Sequence, residues 1–237
     1  WKINMKTISS PITNKMRTLG LSKLIYIYGG MIVPLSFLCI RDLKPLYDKG
    51  LSEDNMFVVE NVDRNITSTS YDFYPDIRFM GSKKQNSMLG KFIEFIQRTI
   101  SSDFTDQSTF MGEFSRWIEN KTKKGEINVV NACDVGVKTN DDKPILIEDL
   151  LSSTPIDICD NIYGVWIPSN DVLSRRKYEW FARMSINQIL DANLIISKYI
   201  IMANIIDDNG GIITELKPKP TWVSFWSVPS KAPVWGL

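Results

Sequence analysis

Two short acidic stretches have the residue types and spacing that a divalent cation needs, because adjacent carboxylates supply the oxygen ligands such ions prefer. They are Asp207-Asp208, which precedes Asn-Gly-Gly, and Asn140-Asp141-Asp142. The same residue types favour tight turns, since Asn, Asp and Gly tolerate the backbone angles that turns require. We therefore interpret both stretches as turn residues and predict no metal site.

Two further polar groups lie near predicted helix starts. Asp103 and Asp106 precede an amphipathic segment, where Asp106 or Ser108 is expected to cap the helix. Lys83 and Lys84 follow a Gly-Ser pair and stand before another helix, where free backbone N–H groups can bind an anion. For the carboxylates we favour capping over catalysis, and for the lysines a solvated helix face is the alternative.

The absence of histidine removes whole classes of chemistry. The 237 residues contain no imidazole for a Ser-His or Cys-His nucleophile pair or for metal ligation. Cys39, Cys133 and Cys159 are odd in number, far apart and without zinc-site spacing. We expect three buried free thiols in a reducing compartment.

The charge balance predicts no nucleic-acid partner. Lys and Arg number 28 against 27 Asp and Glu, so the net charge is +1 and no overall field attracts nucleic acid. Residues 174–183 place four cations among three aromatic side chains, a pattern that also suits single-stranded nucleic acid. However, Tyr178, Phe181 and Met184 recur at helical spacing, which favours a stripe that faces the core.

One uncharged stretch, residues 24–40, raises the question of a membrane span. Its 17 residues fall short of the roughly 20 that a spanning helix needs. Gly29, Gly30 and Pro34 also interrupt it. We predict a helix end, a turn and a buried strand here, and membrane association is the third and least favoured of three functional hypotheses.

The apolar periodicity predicts elements that alternate between strand and helix, which indicates an α/β fold. Residues 145–153 suit a strand or a short helix, and residues 41–50 a loop or a short helical turn. The predicted strands cover 31–40, 55–61, 76–84, 126–136 and 162–168. The predicted helices cover 16–28, the surroundings of 88–96 and of 110–118, and 174–201 with a break near 191–193. One domain is expected over residues 1–216.

The remaining residues, 217–237, form a predicted irregular arm, because its prolines prevent a regular helix. Large aromatic side chains are efficient anchors on either the same domain or a partner. We favour docking on the chain's own domain and keep partner binding as the alternative. The candidate anchors are Trp222, Phe225, Trp226 and Trp235.

Residues 24–28 are followed by Gly29-Gly30, then the apolar run 31–33 and, after a gap, Leu-Lys-Pro-Leu at 43–46. The stretch 16–46 resembles the donor-sugar end of DXD-type glycosyltransferases with a GT-A fold, family 32-like, the sugar-binding region containing the DXD motif. "FVVEN" (57–61) and "FMGSKKQNSML" (79–89) look like the family segments that come next. The resemblance covers about the first 120 residues.

The resemblance implies a GT-A-like, Rossmann-like mixed sheet flanked by helices. It also implies that the family's first nucleotide-binding strand lies upstream of the matched region. Gly29, Gly30, Lys83 and Lys84 are the candidate positions for contact with a nucleotide sugar.

The departures from the family pattern fall on its chemistry. The family Asp and Arg fall on Thr18 and Leu21, and the Asp-x-Asp falls on Pro34-Leu35-Ser36. In the family those carboxylates hold a cation against the donor diphosphate, and the metal stabilises the leaving group. Proline and serine do not carry that charge, so the resemblance implies the fold and not the activity.

Two hypotheses follow. The first is a catalytically inactive glycosyltransferase-like domain without a cofactor, a structural or interaction module with protein partners or self-association. An intracellular reducing or virion-associated setting, such as a viral assembly, suits it. The second is an active glycosyltransferase that uses Mn²⁺ and a nucleotide sugar without a DXD motif. Its carboxylates would be Glu60, Asp76 or Asp134, with Lys83 or Lys84 on the diphosphate.

Overall fold

A computed structural model of the protein describes residues 10–52, 55–63, 72–102 and 112–204. The chain divides into two compact units. The first unit comprises residues 1–34 and 43–132, and the second comprises residues 35–42 and 133–237. The expected domain over 1–216 and the arm over 217–237 stay predictions, because the boundary between them lies outside the described residues.

The helices and strands are numbered in chain order through both units. The first unit contains α1 (Ser10–Tyr28), β1 (Gly30–Ile32), α2 (Lys44–Gly50), β3 (Phe57–Asp63), β4 (Asp72–Ser82), α3 (Ser87–Ser102), α4 (Gly112–Lys123) and β5 (Asn128–Val130). The second contains β2 (Phe37–Cys39), α5 (Ile147–Leu150), β6 (Gly164–Trp166), α6 (Ser169–Ser174), α7 (Glu179–Ala182), α8 (Ile186–Asp191) and α9 (Ile195–Asn204).

The first unit is built on a four-stranded sheet in the order β1-β4-β3-β5. Strand β4 runs antiparallel to both β1 and β3, whereas β5 runs parallel to β3. This mixed sheet, accompanied by helices, confirms the predicted α/β class.

The core of the first unit follows the predicted apolar stripe of α3. Met88, Leu89, Phe92 and Ile96 are buried with the α1 side chain Ile25 and with side chains of the sheet. Phe114 and Ile118 of α4 join the same cluster. Burial of these long apolar side chains is the main source of the unit's stability.

The glycine pair ends α1 as predicted. Gly29 has a φ of +74° and Gly30 a φ of +106°, angles that L side chains rarely adopt. The Gly29 amide donates to the carbonyl of Ile25 at 2.7 Å. A Cβ on residue 29 would lie 3.1 Å from the backbone nitrogen of Lys84. Glycine at this position therefore also permits close approach of the loop before α3.

The single strand predicted over residues 31–40 is wrong. Strand β1 ends at Ile32, and β2 begins at Phe37 and belongs to the second unit. Pro34 explains the break, because it cannot donate to a sheet ladder and interrupts regular pairing. The prediction of a buried strand is also wrong for β1, because its three residues are all half-buried.

The second unit contains the two-stranded antiparallel sheet of β2 and β6, with Phe37 opposite Trp166. Its core joins β6 to the helices and includes Ile147, Val165, Phe181 and Ile196. The predicted strand 162–168 is confirmed in its centre as β6. Within residues 145–153, α5 covers Ile147–Leu150, which is the short helix of the two alternatives that the sequence allowed.

The predicted helix over residues 174–201 is less continuous than expected. The predicted break is present between α8 and α9, but the chain also breaks at 183–185. Ser185 starts a new helix there, since its hydroxyl accepts from the Gln188 amide and the Gln188 side chain accepts from the Ser185 amide. This capping box, Ser-x-x-Gln, was readable in the sequence and was missed.

The cysteine prediction is wrong for two of the three thiols. Cys133 and Cys159 form a disulfide, with their Cα atoms 5.5 Å apart, although they lie 26 residues apart in sequence. Cys39 is free, as expected, but it is exposed rather than buried. Sequence spacing carries no signal for this pair, because only the fold of the second unit brings residues 133 and 159 together.

The uncharged stretch 24–40 is divided among α1, β1 and β2. Within the described ranges, no helix has the length and apolar content needed to cross a membrane.

Candidate functional site

A buried carboxylate on the sheet of the first unit lies at the centre of a hydrogen-bond network. Asp76 on β4 is only 3% exposed. Its Oδ2 accepts hydrogen bonds from Arg78 Nε at 2.9 Å, the Tyr74 hydroxyl at 2.9 Å and Asn61 Nδ2 at 3.0 Å. These four residues, Asn61, Tyr74, Asp76 and Arg78, form what we call the Asp76 network.

The Asp76 network lies at an irregularity of the sheet. Val58 pairs with Met80, but the next residue, Val59, pairs with Asp76. Residues 77–79 of β4 therefore have no partner in the β3 register, and they form an irregular bulge of three residues. The Arg78 amide donates to Asp76 Oδ1 at 2.9 Å, so the carboxylate binds the backbone of the same bulge.

The charges of the Asp76 network fix its protonation states. Burial by itself would raise the pKa of Asp76, but the Arg78 guanidinium and the hydrogen bonds from Arg78 and Asn61 outweigh burial and hold that pKa below its usual range. Burial, with the Asp76 charge, raises the pKa of the Tyr74 hydroxyl. At neutral pH Asp76 is therefore an anion and Tyr74 is protonated, and neither pKa lies near 7, where a general base works best.

The three carboxylates of the second hypothesis are not brought together. Glu60 and Asp76 lie on paired strands of the first unit, where Val59 is opposite Asp76 and Glu60 is opposite Pro75. Because side chains alternate along a strand, Glu60 points to the opposite face of the sheet. Its Oε2 accepts from the Ala132 amide at 3.1 Å. Asp134 lies in a 3₁₀ turn of the second unit.

The four positions onto which the resemblance maps the family's metal and donor residues are divided between the two units. The Thr18 hydroxyl donates to the Asn14 carbonyl at 3.0 Å within α1, and Leu21 is half-buried. Pro34 is the last residue of its segment in the first unit. Ser36, in the second unit, is 9% exposed and its carbonyl accepts from the Ile167 amide at 3.0 Å.

The glycine turn and the loop that carries the lysine pair lie close together. The Tyr47 hydroxyl accepts from the Gly30 amide at 3.3 Å and donates to the Ser82 carbonyl at 3.0 Å. Gln85, which follows the lysines, donates its amide to the Tyr26 carbonyl at 2.7 Å. These bonds join the end of α1 to the loop before α3.

The start of α3 is capped by the chain itself. Asn86 Oδ1 accepts from the Met88 amide at 2.9 Å and from the Leu89 amide at 3.0 Å. Two of the N–H groups that an anion would contact are thus engaged. Lys83 and Lys84 are exposed, but they lie in the loop before α3 and not on a helix face. The Asn86 cap was missed, although Asn directly before an apolar-periodic segment is a recognised signal.

The acidic stretch at residues 140–142 is a turn, as predicted. Asp142 has a φ of +60°, and its amide donates to the Thr139 carbonyl at 3.1 Å. Lys138 Nζ lies 2.9 Å from Asp142 Oδ1. In the part of the chain that the structure describes, no group of three or more His, Cys, Asp or Glu side chains could hold a metal ion.

Several predicted sites lie outside the described residues. They are the acidic pair at 207–208, the caps Asp106 and Ser108 with Asp103, and the aromatic anchors Trp222, Phe225, Trp226 and Trp235.

The outward face of α1 was missed as a candidate surface. Leu24 and Ile27 lie in the predicted helix 16–28 and are 53% and 57% exposed, and Tyr28 is 76% exposed. A groove of about 380 Å³ lies between α1 and α3, with Lys23, Tyr26 and Ile27 on one side and Gly90, Ile93 and Glu94 on the other.

Comparisons with known proteins leave the family undetermined, since no family model, curated protein or solved structure matches this chain.

Proposed function

We propose that this chain is a catalytically inactive glycosyltransferase-like domain that serves as a structural or interaction module. The glycosyltransferase part of the proposal rests on the resemblance of residues 16–46 and 57–89. The proposed loss of activity rests on the hydrogen bonds and the ion pair that the candidate catalytic side chains of the first unit make.

The observation that carries the proposal is the Asp76 network. Asp76 is the most buried carboxylate among the candidates, and its two oxygens are occupied by Arg78, Tyr74 and Asn61. Its charge is compensated by Arg78 Nη2, 2.5 Å away. A carboxylate that neutralises a neighbouring guanidinium and binds its own strand's backbone has little capacity left to ligate a cation or abstract a proton.

Glu60 supports the same interpretation, because its Oε2 accepts a backbone hydrogen bond from Ala132. Pro34 and Ser36, where the family places its metal ligands, contribute no carboxylate. Thr18 and Leu21 contribute neither the acid nor the guanidinium of the family pattern.

The experiment is a calorimetric titration of the full chain with Mn²⁺ and then with UDP-glucose, UDP-galactose and UDP-N-acetylglucosamine in the presence of Mn²⁺. We expect no saturable heat in either titration. Asp76→Asn is the matched variant, since it removes the charge and preserves the shape. Saturable binding by the wild type that Asp76→Asn abolishes would overturn the proposal and favour an active enzyme with a non-DXD site.

A further inference from the structure

We infer that the outward face of α1 and the adjoining α1–α3 groove form a docking surface for an acidic amphipathic helix of a protein partner. We call this surface the α1 face and define it by Arg17, Lys23, Leu24, Ile27 and Tyr28. The inference rests on the proposed role as an interaction module and gives that role a location and a partner chemistry.

The α1 face is apolar where a solvated helix is normally polar. Leu24, Ile27 and Tyr28 lie at positions i, i+3 and i+4, so their exposed side chains share one side of the helix. Ser22 and Ile25, on the opposite side, are buried. Helix α1 is thus apolar on both sides, although only one side packs into the core. A contiguous exposed apolar patch of this kind marks an interaction site.

The charge of α1 specifies the sign of the partner. The helix contains three cationic residues, Lys15, Arg17 and Lys23, and no acidic residue. Arg17 and Lys23 are exposed, and Arg17 lies two turns before Leu24 on the same side. Since the whole chain carries a net charge of only +1, this positive charge is a local feature. It complements a partner that carries acidic groups beside apolar ones.

The groove beside the α1 face favours a helix over a lipid surface. Its concave volume of about 380 Å³ lies between two helices, where the Tyr26 ring of α1 lies over Gly90 of α3. Glu94 also lines the groove and would repel a uniformly anionic lipid surface, whereas a helix can place its acidic residues away from Glu94. A helix in such a groove places apolar residues at i, i+3, i+4 and i+7. Its acidic residues would then meet Lys23 and Arg17.

The same charges disfavour a second copy of this chain. A twofold-symmetric dimer through the α1 face would place the same surface on both sides of the interface. Arg17 and Lys23 of one copy would then face those of the other, and like charges in an interface are unfavourable.

The test uses the full chain and two labelled helical peptides of about 20 residues. Both carry leucine at i, i+3, i+4 and i+7, one with glutamate and the other with lysine at the flanking positions. Fluorescence anisotropy is expected to show saturable binding of the acidic peptide, at least about tenfold tighter than the basic one and weaker at high salt. Equal binding of the two peptides, or no saturable binding of the acidic one, would overturn the proposal.

The variants separate a local effect from loss of the fold. We expect Ile27→Glu and Tyr28→Glu each to weaken binding of the acidic peptide at least about tenfold. Both positions are exposed, so the circular dichroism spectrum should remain that of the wild type. Lys23→Glu should reduce the preference for the acidic peptide. The control is Lys123→Glu, which changes an exposed side chain on α4 and should leave that preference unchanged. A loss with Lys123→Glu as large as that with Lys23→Glu would contradict a specific face.

Two other outcomes would assign the α1 face to a different occupant and overturn the proposal. One is a dimer in sedimentation velocity that Ile27→Glu dissociates. The other is flotation with phosphatidylcholine–phosphatidylserine vesicles that Ile27→Glu abolishes. The peptide result is independent of the nucleotide-sugar titration: loss of peptide binding refutes this surface alone, and saturable sugar-nucleotide binding refutes the inactive-domain proposal alone.

Discussion

The two units hold their geometry by different chemistry. The first unit fixes the bulge in β4 with the Asp76 network, an ion pair that is buried on its carboxylate side. The second unit links its 3₁₀ turn at 132–135 to residue 159 with a disulfide. A carboxylate and a thiol are both side chains capable of catalysis, and in each unit they serve the architecture. The contrast also predicts that acid lowers the stability of the first unit and that a reductant lowers the stability of the second.

The largest expected effect concerns the disulfide. In the double variant Cys133→Ser, Cys159→Ser, the free energy of unfolding of the second unit should fall by about 3.5 kcal/mol, the loop-closure value for a 26-residue separation. Hydrogen exchange in peptides from residues 133–204 would report the loss. Cys39→Ser is the control, because the Cys39 thiol is free and exposed. Unchanged exchange in the double variant would show that the bond does not stabilise the unit.

The next effect concerns the Asp76 network. Asp76→Asn removes the buried carboxylate charge that Arg78, Tyr74 and Asn61 contact. Because the Arg78 side chain is 46% exposed and water can solvate its charge, we expect a loss of about 2 kcal/mol of unfolding free energy, the value of a hydrogen bond to a charged group. Asp48→Asn is the matched control, since its pair with Lys44 is more than half exposed on both sides and should contribute less than about 1 kcal/mol. Urea unfolding of the three proteins measures the difference. If the two variants lost equal amounts of unfolding free energy, the buried Asp76 pair would stabilise the unit no more than the exposed Asp48 pair.

A smaller effect is the pH dependence of the first unit. The pKa of Asp76 is lowered in the folded state, so its contribution is fully present above its unfolded pKa of about 4 and is lost as the pH falls through the folded pKa. The partly buried Glu126 also has a lowered pKa, chiefly because of its hydrogen bond from Lys121, so the pH dependence of the wild type alone does not report on Asp76. Unfolding free energies of the wild type and Asp76→Asn between pH 2 and 6 should converge towards low pH. Parallel curves would contradict the assignment.

The sequence predicted the elements better than their breaks. The α3 stripe, the end of α1 at Gly29-Gly30 and the turn at 140–142 follow from local periodicity and turn chemistry, which short segments encode. The break at Pro34 was missed because the apolar run 31–40 outweighed one proline in the pattern, although proline cannot pair within a ladder.

The site was less predictable than the fold. The sequence named Asp76 as one of three candidate catalytic carboxylates. Its pairing with Arg78 depends on a bulge that shifts the register after Val58, and no local pattern encodes that shift. The disulfide depends likewise on tertiary proximity. The exposure of Leu24 and Ile27 could not be predicted either, because helical spacing shows which residues share a face and does not show what covers that face.

The most direct test of the central claim is the calorimetric titration of the full chain with Mn²⁺ and UDP-sugars, wild type beside Asp76→Asn. We predict that neither protein gives saturable heat and that the two differ in stability alone. Saturable binding by the wild type, lost in Asp76→Asn, would show that Asp76 serves a ligand and would contradict the account.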